Sequence, residues 1–157
     1  RRVFNLFQYL DEVLTSLRPK YKATKIFVGY TCPAGLEMDT YPGLLAQVLT
    51  NLITNALVHG FDDGDVGEVK VKVSEEAQWV IVECFNSGKL IPKEALGKVF
   101  EPFFTTRRAK GGTGLGLNIV FNIVTQRLGG TIRVSSDEEQ GTRFVVRIPR
   151  VLGENSA

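Results

Sequence analysis

An α/β two-layer sandwich on a mixed sheet is the architecture this sequence predicts, and three observations predict it. Residues 69–73 and 79–85 alternate apolar with polar side chains and read as an antiparallel strand pair. Residues from about 42 to 58 and 115 to 128 have apolar positions at helical spacing and are too long for ordinary strands. Helices and strands interleave without strict βαβ repetition, so one helical layer over one sheet is the simplest arrangement.

The elements follow in order. Phe4, Phe7, Leu10, Val13, Leu14 and Leu17 recur at helical spacing, so residues 4–18 read as an amphipathic helix ending before Pro19. Residues 25–30 read as a strand and the short "GLEMD" stretch as another. The long helix from Tyr41 or Pro42 to Val58 takes Thr40 as its candidate cap and opens on proline and small residues. Gly60, Gly64 and Gly67 break up an acidic loop, "GFDDGDVGE". After the strand pair, residues 86–112 are rich in glycine, proline and charge, with a short helix at 93–97. The second long helix stops at Gly129-Gly130, a C-terminal signal. Strands at 131–135 and 142–148, joined by "SDEEQG", close the domain, and the tail after Pro149 is expected to fray.

Composition narrows the function classes. At 157 residues the chain fits one domain that buries roughly two-thirds of its unfolded surface. A net charge of +2 is too small to argue for nucleic acid or an anionic membrane. No apolar run approaches the roughly 20 residues of a membrane span, and no signal peptide is visible. Cys32 and Cys84 lie far apart without CxxC spacing, which argues for buried thiols over a disulfide scaffold or zinc site. The first residue is Arg1, so a piece of a longer protein is expected.

Three segments point to chemistry. In "NLITNALVHG", residues 51–60, Asn51, Asn55 and His59 are spaced i, i+4, i+8 and form one stripe beside the apolar face of Leu45, Val48, Leu49, Leu52 and Ala56. A ligand, a metal or plain solvent would each satisfy those amides. In "GGTGLGLNIV", residues 111–120, Gly112, Gly114 and Gly116 precede an apolar helix, an arrangement that turns backbone N–H groups toward an anion. The pattern lacks the preceding strand of a dinucleotide fold and the Lys-Ser/Thr of a P-loop, so a flexible loop is the competing reading. In "VFEPFFTTRRAKGG", residues 99–112, Phe100, Phe103 and Phe104 anchor a loop whose far end, with Arg107, Arg108 and Lys110, is basic. That suits a lid over phosphates, or a hydrophobic hinge before a solvated charge run.

Taken in this order, these segments resemble the catalytic ATP-binding domain of sensor histidine kinases. This is the Bergerat-fold superfamily shared with gyrase, a heat-shock chaperone and mismatch-repair ATPases. The resemblance rests on the Asn-rich box, the "NSG" at 86–88, the phenylalanine box at 100–104, the glycine box at 112–117 and the closing "GTRF" at 141–144. It implies a mostly antiparallel mixed sheet with helices on one face. It further implies that Asn55 ligates Mg²⁺ bridging the ATP phosphates, that Asn51 supports that arrangement, and that His59 lies along the nucleotide. Gly112, Gly114, Leu115, Gly116 and Leu117 would offer backbone N–H groups to phosphate, and Arg107, Arg108 and Lys110 would supply lid cations. Asn86, Gly88 and Thr142 complete the nucleotide-contacting set. Hydrolysing members of the superfamily have a glutamate base where Asn51 stands, and an amide takes no proton at neutral pH, so phosphoryl transfer to a histidine is the expected reaction. The acceptor histidine and its dimerising helices would belong to a neighbouring module before residues 1–18, with 19–150 as the catalytic domain and 151–157 as a tail. A response regulator would act downstream, and this domain would be cytoplasmic, with no nucleic-acid partner and no membrane segment of its own.

The chain departs from the family pattern at two places. The usual strand ends in Asp-x-Gly-x-Gly, where the aspartate accepts from the adenine 6-amino group; here the aligned residues are Asn86, Gly88 and Leu90. An asparagine carbonyl can still accept while its NH₂ donates. Leu90 must pack on the base, fill the pocket or point away. The alternative to a working ATP site is a regulatory module that keeps the fold but binds nucleotide weakly or not at all.

Overall fold

A computed structural model of the chain describes residues 1–102, 104 and 116–153. The elements run β1 (Arg2–Asn5), α1 (Leu6–Tyr21), β2 (Lys25–Thr31), β3 (Glu37–Thr40), α2 (Pro42–Gly60), β4 (Val66–Glu76), β5 (Trp79–Asn86), α3 (Lys93–Leu96), α4 (Gly116–Asn122), β6 (Thr131–Asp137) and β7 (Gly141–Pro149). A π-helical turn, Ile123–Arg127, prolongs α4.

Five strands form the main sheet in the order β2-β4-β5-β7-β6, and β1 pairs with β3 in a separate ribbon. Only β2–β4 is parallel; the other pairs are antiparallel. Burial alternates along the central strands. Val69, Val71 and Val73 of β4, Val80, Val82 and Cys84 of β5, and Phe144, Val146 and Ile148 of β7 all turn to the helical side. Lys70, Lys72, Glu83 and Arg143 turn the other way and line a shallow cleft on the open face with Glu68 and Phe85. The fold is therefore the predicted two-layer sandwich, with helices on one face.

The helices close the core. Leu6, Leu10, Val13, Leu14 and Leu17 form the buried stripe of α1, and Leu45, Val48, Leu49, Leu52, Ile53, Ala56 and Gly60 that of α2. At about 25 cal/mol per Å², each large aliphatic side chain buried in this layer contributes roughly 1.5–3 kcal/mol before conformational entropy is subtracted.

Four expectations are corrected. Phe4 belongs to β1, opposite Met38, and not to a helix. Its apolar spacing continues that of α1 because both bury against the same core, but Asn5 is extended and its side chain accepts from Gln8 N–H at 2.8 Å, which starts the helix at Leu6. At the other end α1 runs through Pro19 to Tyr21. Proline there sits in the last turn on an exposed face, where water can replace the missing donor. Thr40 is a buried residue of β3; the N-cap of α2 is Tyr41, which makes no side-chain cap, and Pro42 opens the helix. Residues 150–152 do not fray. Arg150 N–H donates to Gln78 at 2.8 Å, Leu152 N–H donates to Asp39 at 2.9 Å, and Val151 bridges Asp39 in parallel register.

Candidate functional site

The amide stripe survives folding as a stripe. Asn51, Asn55 and His59 are all half-buried along α2, on the flank of its fully buried face. Thr54, between them, has the one buried side-chain polar atom left without a hydrogen-bond partner among the described residues, its Oγ1.

Helix α4 supplies the opposite wall. It packs on α2, and Arg127, at the far end of its π-helical extension, lies 5.6 Å over the Tyr41 ring at the start of α2. The far end of the α4 extension is therefore beside the residue that caps the start of α2. Gly116 and Leu117 open α4 at its other end. Helix α4, whose first residues Gly116 and Leu117 end the glycine box, packs on the helix that bears the asparagine box about 60 positions earlier. Phe100 locks the arrangement from outside: its ring lies 5.4 Å from Phe121 and 6.1 Å edge-on from Phe144, and its carbonyl accepts from Asn118 Nδ2 at 3.1 Å. Arg107, Arg108, Lys110, Gly112, Gly114 and Leu115, together with Phe103, lie outside the described residues.

The third wall is the "NSG" corner, stitched to the end of α2. Lys89 N–H donates to the Gly60 carbonyl at 2.7 Å and Ser87 N–H to Glu68 at 3.1 Å, while Glu68 N–H returns a bond to Ser87 Oγ at 2.9 Å. A Cβ at Gly88 would lie 2.0 Å from the Gly60 carbonyl oxygen, so only glycine lets the corner approach the helix this closely. Asn86 is buried, and its Oδ1, the atom expected to meet an adenine amino group, accepts from Gly88 N–H at 3.0 Å. Beside it across β5–β7 sits Thr142, also buried, whose hydroxyl shares a 2.7 Å hydrogen bond with Ser136 Oγ. Ser136 Oγ in turn accepts from Ile91 N–H at 2.8 Å.

Leu90 is 40% exposed and takes no part in the core. Ala77 is the sole non-glycine with positive φ among the described residues, so position 90 does not demand glycine's backbone freedom.

The donor set accords with a hard cation held chiefly by phosphate. Among the described residues no group of three His, Cys, Asp or Glu could hold a metal. The stripe offers amide oxygens, which suit Mg²⁺ only where phosphate oxygens and water fill the remaining positions. Cys84 is inert behind the site, its thiol pushed up to about 12 by burial.

The boxes are legible in the sequence, and the contacts that fit them together are not. Gly60 reads as a loop glycine, and Ser136 as the first residue of the acidic turn "SDEEQG". The strand period offers one sign, since Ser136 shares the inward parity of Ile132 and Val134.

Comparison with known proteins bears on this geometry. Residues 40–152 match the family described as histidine kinase-, DNA gyrase B- and HSP90-like ATPase. Sensor histidine kinase ZraS of Escherichia coli (strain K12) is 42% identical over 113 residues, which cover 72% of this chain and 23% of ZraS. Sporulation kinase A of Bacillus subtilis (strain 168) is 33% identical over 151 residues, 96% of this chain and 24% of that protein. Among solved structures, the nucleotide-free catalytic domain of histidine kinase ThkA is similar with a TM-score of 0.83 at 33% identity, covering 95% of both chains. ThkA in complex with the response regulator protein TrrA matches with a TM-score of 0.79 at 30% identity, over 94% of this chain and 41% of that one. The chain spans about a quarter of the length of these curated relatives.

Proposed function

The chain belongs to the histidine kinase-, DNA gyrase B- and HSP90-like ATPase family, as the ATP-binding catalytic domain of sensor histidine kinases, and from that premise we propose the work of its residues. The site binds Mg-ATP between α2, α4 and the "NSG" corner and presents the γ-phosphoryl group to a histidine on a neighbouring module. The observation that supports this reading best is the packing of α4, which opens at Gly116 of the glycine box, on α2, which bears Asn51 and Asn55.

Each group has a task its chemistry suits. Asn55 offers an amide oxygen to the ion, with Asn51 one turn earlier on the same stripe. Bound magnesium would neutralise phosphate charge. Gly116 and Leu117, with Gly112, Gly114 and Leu115 before them, give backbone N–H groups to the phosphates at the helix start. Arg107, Arg108 and Lys110 supply cations from the lid, and His59 lies along the nucleotide. Asn86, Gly88 and Thr142 form the base end. No carboxylate stands on the stripe at position 51, so the chain holds no base there to activate water. The acceptor imidazole is its own nucleophile, and the domain contributes position and charge. The acceptor module, a cytoplasmic setting and a downstream response regulator, such as the one bound to ThkA, belong to this same reading. No helix among the described residues is long and apolar enough to cross a membrane.

Calorimetric titration of the chain with a non-hydrolysable ATP analogue tests the proposal. Saturable binding that needs Mg²⁺ and weakens at least about tenfold in Asn55→Ala is expected. A flat titration at millimolar nucleotide would leave the fold without its ligand and favour the regulatory-module alternative.

A further inference from the structure

The base end of the site contains an unusual polar detail. Among the described residues three polar side chains are buried, Thr40, Asn86 and Thr142, and the last two are register partners on β5 and β7. The hydrogen bond from Gly88 N–H to Asn86 Oδ1, 3.0 Å long, fixes which end of the amide is which. A Cβ at Gly60 would lie 2.9 Å from that oxygen and 3.8 Å from Nδ2, so the oxygen faces the end of α2 and the nitrogen takes the other branch. Turning the amide over would set Nδ2 against the Gly88 N–H, donor against donor. A carboxylate would offer acceptors on both branches. The amide offers an acceptor on the branch already used by Gly88 and two donor hydrogens on the other.

We propose that Asn86, held in this orientation, relaxes the base specificity of the site, which accepts 6-oxo purine nucleoside triphosphates alongside ATP. The proposal rests on the reading that Asn86 faces the base of a bound nucleotide. A 6-oxo group is an acceptor and complements Nδ2, whereas the 6-amino group of adenine is a donor and meets a donor there. ATP is retained because Oδ1 has a second lone pair and the phosphate end of the site is indifferent to the base. Ile91 N–H is tied to Ser136 Oγ and Ser136 to Thr142, so the loop that leaves Gly88 is anchored across three strands beside Asn86.

Inosine triphosphate is the probe, because it has the 6-oxo group without the 2-amino group of guanine. Titrations with Mg-ATP and Mg-ITP are compared for the wild-type chain and Asn86→Asp, with a thermal melt to establish that the variant folds. The wild type is expected to bind the two nucleotides within about tenfold of each other, and Asn86→Asp to move the ratio at least about tenfold toward ATP. A wild-type preference for ATP beyond that margin, or a ratio unmoved in folded Asn86→Asp, overturns the proposal and leaves the ATP site intact. If neither nucleotide binds, the ATP reading itself fails and takes the proposal with it. If Asn86→Asp does not fold, the wild-type ratio decides alone.

Discussion

Gly88 and Leu90 stand two positions apart and have opposite constraints. Glycine at 88 is demanded by a backbone, because a methyl group would meet the Gly60 carbonyl oxygen at 2.0 Å and displace the Lys89–Gly60 hydrogen bond. Gly88→Ala is expected to cost about 2–4 kcal/mol, in the range of overpacking combined with a lost buried hydrogen bond. Urea denaturation of the two proteins checks it, and an unchanged midpoint would mean the corner can retreat from α2 at no cost. Leu90 is under no such demand. Leu90→Gly is expected to leave nucleotide affinity within about threefold, below 0.7 kcal/mol, in parallel titrations with wild type. A larger gain would mean the leucine obstructs the base after all. The sequence named both residues as family positions, yet it could not rank them, since the ranking depends on a helix end 28 positions away.

Elements were legible where one period ran unbroken and illegible where two elements share a face. The alternation of β4 and β5 and the apolar stripe of α2 were readable at once. The border between β1 and α1 was not, because Phe4 and Leu10 bury in one core and the helical spacing Phe4, Phe7, Leu10 runs across the border. Only the extended backbone of Asn5 separates them. Phe100 illustrates the same limit at the site. The phenylalanine box reads as an anchor, but its partners, α4 and β7, lie about 20 and 45 positions further on. Its ring holds α4 against the sheet, so Phe100→Ala is expected to destabilise by about 2 kcal/mol, less than a fully buried phenylalanine because the ring is half-exposed. Phe100→Leu should recover most of that loss. Equal destabilisation by both variants in chemical denaturation would show that ring stacking, not volume, provides the stability.

For the molecule as a whole, burial of thiols sets an alkaline limit. Burial pushes Cys84 up to about 12 and Cys32 up to about 11, whereas an unfolded thiol ionises near ~8.5. The folded chain prefers the neutral thiol, so this contribution is complete below the unfolded value and is lost as pH rises through the folded one. Stability should fall between about pH 9 and 12, by up to about 1.4 kcal/mol per pH unit for the buried Cys84 thiol and by less for the half-buried Cys32. The difference between wild type and Cys84→Ala in urea midpoints at pH 8 and 10.5 isolates the Cys84 share, since tyrosines and lysines titrate in both. A difference that does not change with pH would mean Cys84 is not sealed in the native state.

The β1–β3 ribbon has a mechanical consequence. Asp39 hydrogen-bonds with the 150–152 segment while β3 pairs along its other edge with β1, so the two ends of the described chain grip one four-residue strand from opposite sides. That strand ends at Thr40, and a single residue, Tyr41, separates it from the first turn of α2. Tension or torque applied at either end therefore enters the molecule at the same place. From there the stiffest path is the axis of the helix that bears Asn51, Asn55 and His59.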